Sequence, residues 1–320
     1  MVYALFIAGF FLLIQWADFL VDGASALAKK FSISDIVIWL TIVGFGTSAP
    51  ELVINVISSI SWNSWLVFGN ILGSNITNLL LILWICAIIY PLKITKRTVF
   101  FEIPFSILAV VLLIIMINDR FIYGHPWLFV SRIDGIILLC FFALFLRYTF
   151  YITRKKQDLP VDVPIIKMSL TKMIIYIIWW LAGLTIWGKW VVDGALSIAI
   201  FFGVSQSIVG LTVVALWTSL PELATSVIAV MKKNPDIAIG NIVGSNIFNI
   251  LWILWISVII SPIYGDIHLN RDVWILLASS GILFAFILLG KKFVLQRYQW
   301  RILVFLYIVY ISVVISNTFY

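Results

Sequence analysis

Long apolar runs separated by short polar turns fill the chain from end to end. Stretches of 18 or more such residues recur, and about 20 helical residues cross roughly 30 Å of hydrocarbon. Ten spans can be drawn, at 2–24, 35–60, 66–90, 98–117, 129–151, 171–191, 205–231, 236–260, 272–290 and 300–317. The longest polar connection, 152–170, carries Arg154, Lys155, Lys156, Gln157, Asp158, two prolines and Lys167, and it leaves five spans on either side. The pattern predicts an all-α polytopic membrane protein of ten transmembrane helices.

The polar residues inside the spans reveal an internal repeat. Glu51 and Glu222 are 171 positions apart, and the same offset pairs Leu40-Thr41 with Leu211-Thr212 and Thr47-Ser48 with Thr218-Ser219. Gly69-Asn70-Ile71 then falls on Gly240-Asn241-Ile242, and Gly73-Ser74-Asn75-Ile76 on Gly244-Ser245-Asn246-Ile247. Asn78 meets Asn249, Pro91 meets Pro262, and no gap is needed from about residue 16 to 92. Similarity between apolar segments alone does not hold so many polar residues in register. An odd number of spans per half makes the second half enter from the opposite side, so the expectation is two inverted five-helix repeats. They cover 1–151, with a motif at 40–78, and 171–320, with its counterpart at 211–249, joined by the linker 152–170.

Composition agrees: 63% of the 320 residues are hydrophobic and 11% charged, with a mean hydropathy of +1.14. The net charge of +7 would suit nucleic acid in a soluble protein, but its placement argues against that partner. Seventeen of the 21 basic residues, in groups around Lys29, Lys93, Arg154, Lys232 and Lys291, follow alternate spans. They read as topology signals in solvent; by the positive-inside rule that side and the linker are cytoplasmic, and both termini face out of the cell membrane. The first apolar run is too long for a cleaved signal peptide and lacks a basic leader, so it reads as a retained span. Cys86 and Cys140 both sit in apolar runs and read as small buried hydrophobes.

Glu51 and Glu222 carry the chemistry. An ionised side chain at bilayer depth costs roughly 2.5–3.5 kcal/mol on insertion scales, so it persists where it faces a cavity and binds something. Thr47, Ser48 and Glu51 share one helical face, as do Thr218, Ser219 and Glu222. Pro50 and Pro221 remove an amide hydrogen and should disrupt each helix one turn upstream, freeing carbonyls for a ligand. Ser74 and Asn78 lie one turn apart, as do Ser245 and Asn249, while Gly69, Gly73, Gly240 and Gly244 give smooth faces for close packing. Asn75 and Asn246 read equally well as interhelical cross-links. Carboxylates, hydroxyls, amides and carbonyls are hard donors that suit Ca²⁺ and Na⁺, without sulfur or imidazole for softer metals.

Gly46-Thr47-Ser48-Ala49-Pro50-Glu51 and Trp217-Thr218-Ser219-Leu220-Pro221-Glu222 resemble the two alpha-repeat signatures of the sodium/calcium exchanger family, within the Ca²⁺:cation antiporter superfamily. The segments from Gly69 to Asn75 and from Gly240 to Asn246 resemble the second part of each signature. The likeness covers essentially the whole chain, in the prokaryotic form without a regulatory loop. It implies a secondary active antiporter exchanging Na⁺ for Ca²⁺ by alternating access, not an enzyme, with transported ions as its bound metals and no cofactor. Spans 2, 3, 7 and 8 would surround the ions, and spans 1 and 6 would slide across them. Glu51 and Glu222 would be the central Ca²⁺ ligands, with Thr47, Ser48, Thr218, Ser219, Ser74, Ser245, Asn78 and Asn249 completing the Ca²⁺ and Na⁺ sites. The carbonyls of Gly44 and Ala215 match backbone ligands. Some archaeal relatives carry Asp where this chain has Asn249, so the site here is more symmetric and bears one fewer negative charge.

A proton- or potassium-coupled exchanger of the same superfamily stays open. Proton exchangers typically show a Gly-Asn-x-x-Glu-His signature, whereas His125 and His268 fall in outer loops, which favours sodium. A passive channel fits two inverted repeats around one closed site less well, and an intramembrane hydrolase lacks its His-Glu-x-x-His pair or any activating histidine. Asp22 and Asp193, each followed by Gly-Ala, read as helix-end structure. The sequence does not set the oligomeric state; a monomer is compatible with it.

Fifteen tryptophans against 18 glycines is an odd balance for packed helices. In the repeat alignment Trp39 opposes Gly210 and Gly46 opposes Trp217, where an indole would crowd the ion site. Trp16, Trp84, Trp187 and Trp255 also stand where relatives usually have glycine. Our reading is that many are glycines encoded by UGA under a reassigned code.

Overall fold

The computed structural model describes residues 39–118, 128–154, 214–265, 267–290, 293–295 and 299–316, with isolated positions between 5 and 30 and between 169 and 197. Spans 1 and 6 therefore lie almost wholly outside the described residues, as do Trp16, Asp22, His125, Trp187, Asp193 and Gly210.

Apart from two short ribbons and the turns between elements, the described residues are helical. A π-helical turn, Trp39–Val43, leads into α1 (Gly44–Thr47), α2 (Ala49–Ile60) and α3 (Ser64–Thr77). A second π turn, Asn78–Ile82, carries α3 into α4 (Leu83–Ile89), followed by β1 (Leu92–Lys93). A third, Thr98–Glu102, opens α5 (Ile103–Ile117), and β2 (Leu128–Val130) precedes α6 (Arg132–Arg154). After the linker come α7 (Val214–Thr218), α8 (Leu220–Met231) and α9 (Pro235–Phe248). A π turn at Asn249–Ile253 then leads to α10 (Leu254–Ile260), β3 (Ile263–Gly265), α11 (Ile267–Leu289), β4 (Val294–Leu295) and α12 (Gln299–Ser316).

Five helical stretches among the described residues are long and apolar enough to cross a bilayer: Ser64–Ile89, Thr98–Ile117, Arg132–Tyr151, Pro235–Ile260 and Asn270–Leu289. Three shorter apolar helices, Ala49–Ile60, Leu220–Met231 and Arg301–Val314, accompany them. Two helices run three or more residues beyond the sequence reading. The helix expected to end at 151 continues to Arg154. The span expected from 272 begins at Ile267, which puts His268 in a first helical turn and not in a loop. His268, Asn270, Arg271 and Asp272 crowd that end of the helix, so hydropathy does not register it. Its Asn270 is tied to α5 by paired amide bonds with Asn118, at 3.1 and 2.9 Å.

The 171-residue offset governs the backbone as well. The ends of α2, α3, the following π turn and α4 coincide, at that offset, with the ends of α8, α9, their π turn and α10. Even the helix stops match. Trp62 and Lys233 both take the left-handed conformation, with φ of 57° and 61°. Trp62 N–H donates to Ser59 O and Asn63 N–H to Ser58 O, at 3.2 and 2.8 Å. Lys233 and Asn234 repeat those bonds to Val230 and Ala229, both at 2.9 Å. This pattern closes a helix by capping its last carbonyls, usually with glycine at the left-handed position.

The halves interlock. Helix α3 packs on α7, and α9 packs on α1 and the turn before it. Glycine permits both approaches: a Cβ on Gly244 would sit 3.1 Å from Leu40 Cα, and one on Gly73 would sit 2.7 Å from Ala215 Cβ. Where α3 meets α9, Asn75 bonds Asn249 and Asn78 bonds Asn246. Three residues forward on one helix thus match three residues backward on the other, as antiparallel helices require. The ribbons follow the same relation, with β1 antiparallel to β4 and β2 antiparallel to β3. The chain is an all-α polytopic membrane protein with inverted internal symmetry.

Candidate ion site

The break in each short helix positions the site. Pro50 and Pro221 stand in the first turn of α2 and α8, where the missing amide hydrogen costs nothing. The chain interrupts its helix at one residue only, Ser48 (φ −84°, ψ 9°) or Ser219 (φ −84°, ψ 0°). Ser48 N–H still donates to Gly44 O at 3.1 Å and Ser219 N–H to Ala215 O at 3.3 Å, so no long unwound stretch forms. Thr47 and Thr218 add their hydroxyls to those carbonyls at 3.3 and 3.2 Å. The two expected carbonyl ligands therefore already serve as acceptors within their own helix ends.

Ten expected side chains gather in the interior. Thr47, Ser48, Glu51, Ser74, Asn78, Thr218, Ser219, Glu222, Ser245 and Asn249 are all buried. Their bonds cross between the halves. Thr47 Oγ1 lies 3.2 Å from Ser245 Oγ and donates to Asn241 Oδ1 at 3.2 Å. Thr218 Oγ1 mirrors it, 3.0 Å from Ser74 Oγ and 3.0 Å from Asn70 Oδ1. Glu222 Oε1 accepts from Ser48 at 3.2 Å and from Ser245 at 3.0 Å.

The mirror fails at the carboxylates. Both oxygens of Glu51 keep clear of any hydrogen bond of ordinary geometry, with the Thr218 hydroxyl as neighbour and Glu222 near enough to act on it electrostatically. Glu222 Oε2, Ser219 Oγ, Asn78 Oδ1 and Asn249 Oδ1 are likewise buried without a partner. Six unpartnered polar oxygens, from both halves and all able to accept, make a set that asks for cations.

Sequence reasoning passed over the supporting residues. Asn70 Nδ2 donates to Glu51 O at 3.4 Å and Asn55 Oδ1 at 2.8 Å. Asn241 Nδ2 does the same for Glu222 O at 3.3 Å and Ser226 Oγ at 3.1 Å, and adds Thr225 Oγ1 at 2.8 Å. These bonds tie the glutamate-bearing helices to α3 and α9. The signal was available: Asn70 and Asn241 stand one helical turn before Ser74 and Ser245 in the repeat register.

The described tryptophans nearest this cluster, half-buried Trp217 together with Trp84 and Trp255, pack on the apolar core. Trp255 packs against Trp252, with ring centroids 4.9 Å apart and the rings tilted by 50°. Only the backbone of Trp39 is described. Trp62 joins the list of glycine-like positions through its left-handed φ. Peptide masses across residues 39 and 217 of the natural protein are expected to report glycine at both; UGG codons there would end that reading.

The chain matches the family described as sodium/calcium exchanger protein over residues 1–151 and 172–316. It is 35% identical to the inner membrane protein YrbG of Escherichia coli (strain K12), over 88% of this chain and 87% of that one. It is 29% identical to the sodium/calcium exchanger MaX1 of Methanosarcina acetivorans, over 97% of each. Among solved structures, the sodium-calcium exchanger NCX_Mj soaked with Na⁺ and Sr²⁺ superposes with a TM-score of 0.81 at 28% identity, covering 97% of both chains. An inverted helical pair, two glutamates at its centre and a match over nearly the full length lead to one statement: this chain is a member of the sodium/calcium exchanger family, a multi-pass membrane antiporter of Ca²⁺ and other cations and not an enzyme.

Proposed function

We propose that the protein exchanges Na⁺ for Ca²⁺ by alternating access at a single site built from spans 2, 3, 7 and 8. The observation that carries this reading is the pair of buried glutamates, one from each half, with three of their four carboxylate oxygens unpartnered. A buried charge is tolerated when it is paired or coordinates a metal. Two carboxylates balance one Ca²⁺ or two Na⁺, so the cargoes compete for the same oxygens. Thr47, Ser48, Ser74, Thr218, Ser219, Ser245, Asn78 and Asn249 complete the coordination. The Gly44 and Ala215 carbonyls join when the Thr47 and Thr218 hydroxyls turn away from them. Binding of one cargo at a time then couples their opposite movements.

In this reading residues 1–151 and 171–320 are two five-helix repeats, the linker 152–170 is cytoplasmic, and both termini face out. Spans 1 and 6 move across the core formed by α2, α3, α8 and α9. Sodium is favoured as the coupling ion because the site holds carboxylates, hydroxyls and amides without histidine.

Flux in proteoliposomes tests the coupling, with Na⁺, H⁺ and K⁺ gradients imposed one at a time. An outward Na⁺ gradient alone should drive Ca²⁺ uptake, without need for K⁺. Uptake driven by a pH gradient alone would make this a proton exchanger. Uptake that runs without any counter-gradient would make it a channel.

A further inference from the structure

Behind Asn78 and Asn249 the structure places a second pair of amides, and their bonds run in one direction. Asn75 Nδ2 donates to the main-chain carbonyl of Asn246 at 3.5 Å, and Asn75 Oδ1 accepts from Asn249 Nδ2 at 3.0 Å. The other half repeats this: Asn246 Nδ2 donates to Asn75 O at 3.4 Å, and Asn246 Oδ1 accepts from Asn78 Nδ2 at 3.0 Å. All four side chains are buried.

Each chain of bonds starts at a main-chain carbonyl, which can only accept. The nitrogen of the inner amide must therefore face that carbonyl, and its oxygen must face the outer amide. The outer amide in turn presents its nitrogen inward and its oxygen away from the lock. An amide has nearly the same shape at either end, yet one end binds a cation and the other repels it. The oxygens left over, Asn78 Oδ1 and Asn249 Oδ1, are both buried and unpartnered. They stand one helical turn beyond Ser74 and Ser245, the second of which holds Glu222.

We infer that Asn75 and Asn246 are positioning residues that fix the amides of Asn249 and Asn78, respectively, with oxygen toward the transported ion. The inference rests on the proposed reading of Asn78 and Asn249 as ion ligands. It goes further by assigning the neighbouring asparagines a role in selectivity for cations, where the repeat motif alone left a plain cross-link equally open. Because each inner amide serves the ligand on the opposite helix, the inner and outer residues should be coupled crosswise.

Double-variant cycles read by the half-saturating Ca²⁺ concentration test this. Asn75→Ala should raise that concentration about tenfold, as is typical when a partner that orients a metal ligand is lost, with maximal flux little changed. Asn249→Ala, which removes a proposed ligand outright, should raise the half-saturating concentration at least as much. The double variant N75A/N249A should be no worse than the poorer single one, whereas N75A/N78A should multiply the two effects. The mirror cycle on Asn246 and Asn78 supplies the same test if Asn75→Ala does not fold. Independent multiplication of N75A with N249A, and of N246A with N78A, would overturn the inference while leaving the ion-site reading intact. Unchanged half-saturation in both N78A and N249A would remove the ligand reading itself, and this inference with it.

Discussion

Glu51→Gln and Glu222→Gln should each bring Ca²⁺ flux down to that of protein-free liposomes. The replacement keeps the shape and removes one charge, so a loss reports electrostatics and not packing. In Glu222→Gln the carbonyl oxygen can still accept from Ser48 and Ser245, which donate to Glu222 at 3.2 and 3.0 Å. The buried cation, however, is left with half its compensating charge. Breaking a buried charge pair typically costs about 3–5 kcal/mol, which is at least a hundredfold in occupancy. Glu51 is expected to be at least as sensitive, because neither of its oxygens has another partner to hold it. The measurement is Na⁺-driven Ca²⁺ uptake, with thermal unfolding in detergent to show that both variants are folded. Flux within threefold of the parent in either variant would take that glutamate out of the transport site.

Much of this arrangement was legible because polar residues are expensive in an apolar chain and so stand out. Glu51, Thr47, Ser48 and their counterparts at a 171-residue offset could be picked out from the sequence, and the structure brings Thr47, Ser48, Thr218 and Glu222 within hydrogen-bond distance of the opposite half. The antiparallel crossing of α3 and α9 also followed from an odd number of spans. What stayed hidden is what periodicity does not encode. The direction of each amide at Asn75 and Asn246 depends on which main-chain carbonyl lies opposite, a tertiary fact. The π turns after Thr77 and Phe248, which re-aim the helices just beyond the site, leave no mark in an apolar pattern. Such turns are often found at functional sites. Prolines suggested a longer break than the single residues Ser48 and Ser219 that form it, because each proline occupies a first-turn position where its missing hydrogen is harmless.

Charge was the least faithful guide at one position, and the consequence is large. Arg97 belongs to the basic group around Lys93 that reads from the sequence as a topology signal in solvent. In the structure its side chain is only 13% exposed, and its Nε donates to Glu102 Oε1 at 2.9 Å, with Glu102 fully buried. Glu102 closes the π turn Thr98–Glu102 at the head of α5, and neighbouring Phe101 stacks on Tyr148 of α6 at 5.6 Å. Arg97→Leu should therefore destabilise the protein by about 3–5 kcal/mol, since it strands a carboxylate in a low-dielectric interior. Adding Glu102→Leu should recover most of that loss, because an apolar pair of similar volume has no charge to desolvate. A simple topology signal predicts something else: an altered membrane orientation in both variants and no recovery in the second. Unfolding temperature separates the two. A double variant as unstable as Arg97→Leu alone, or an Arg97→Leu protein as stable as the parent, would reject the buried pair as a structural element of this fold.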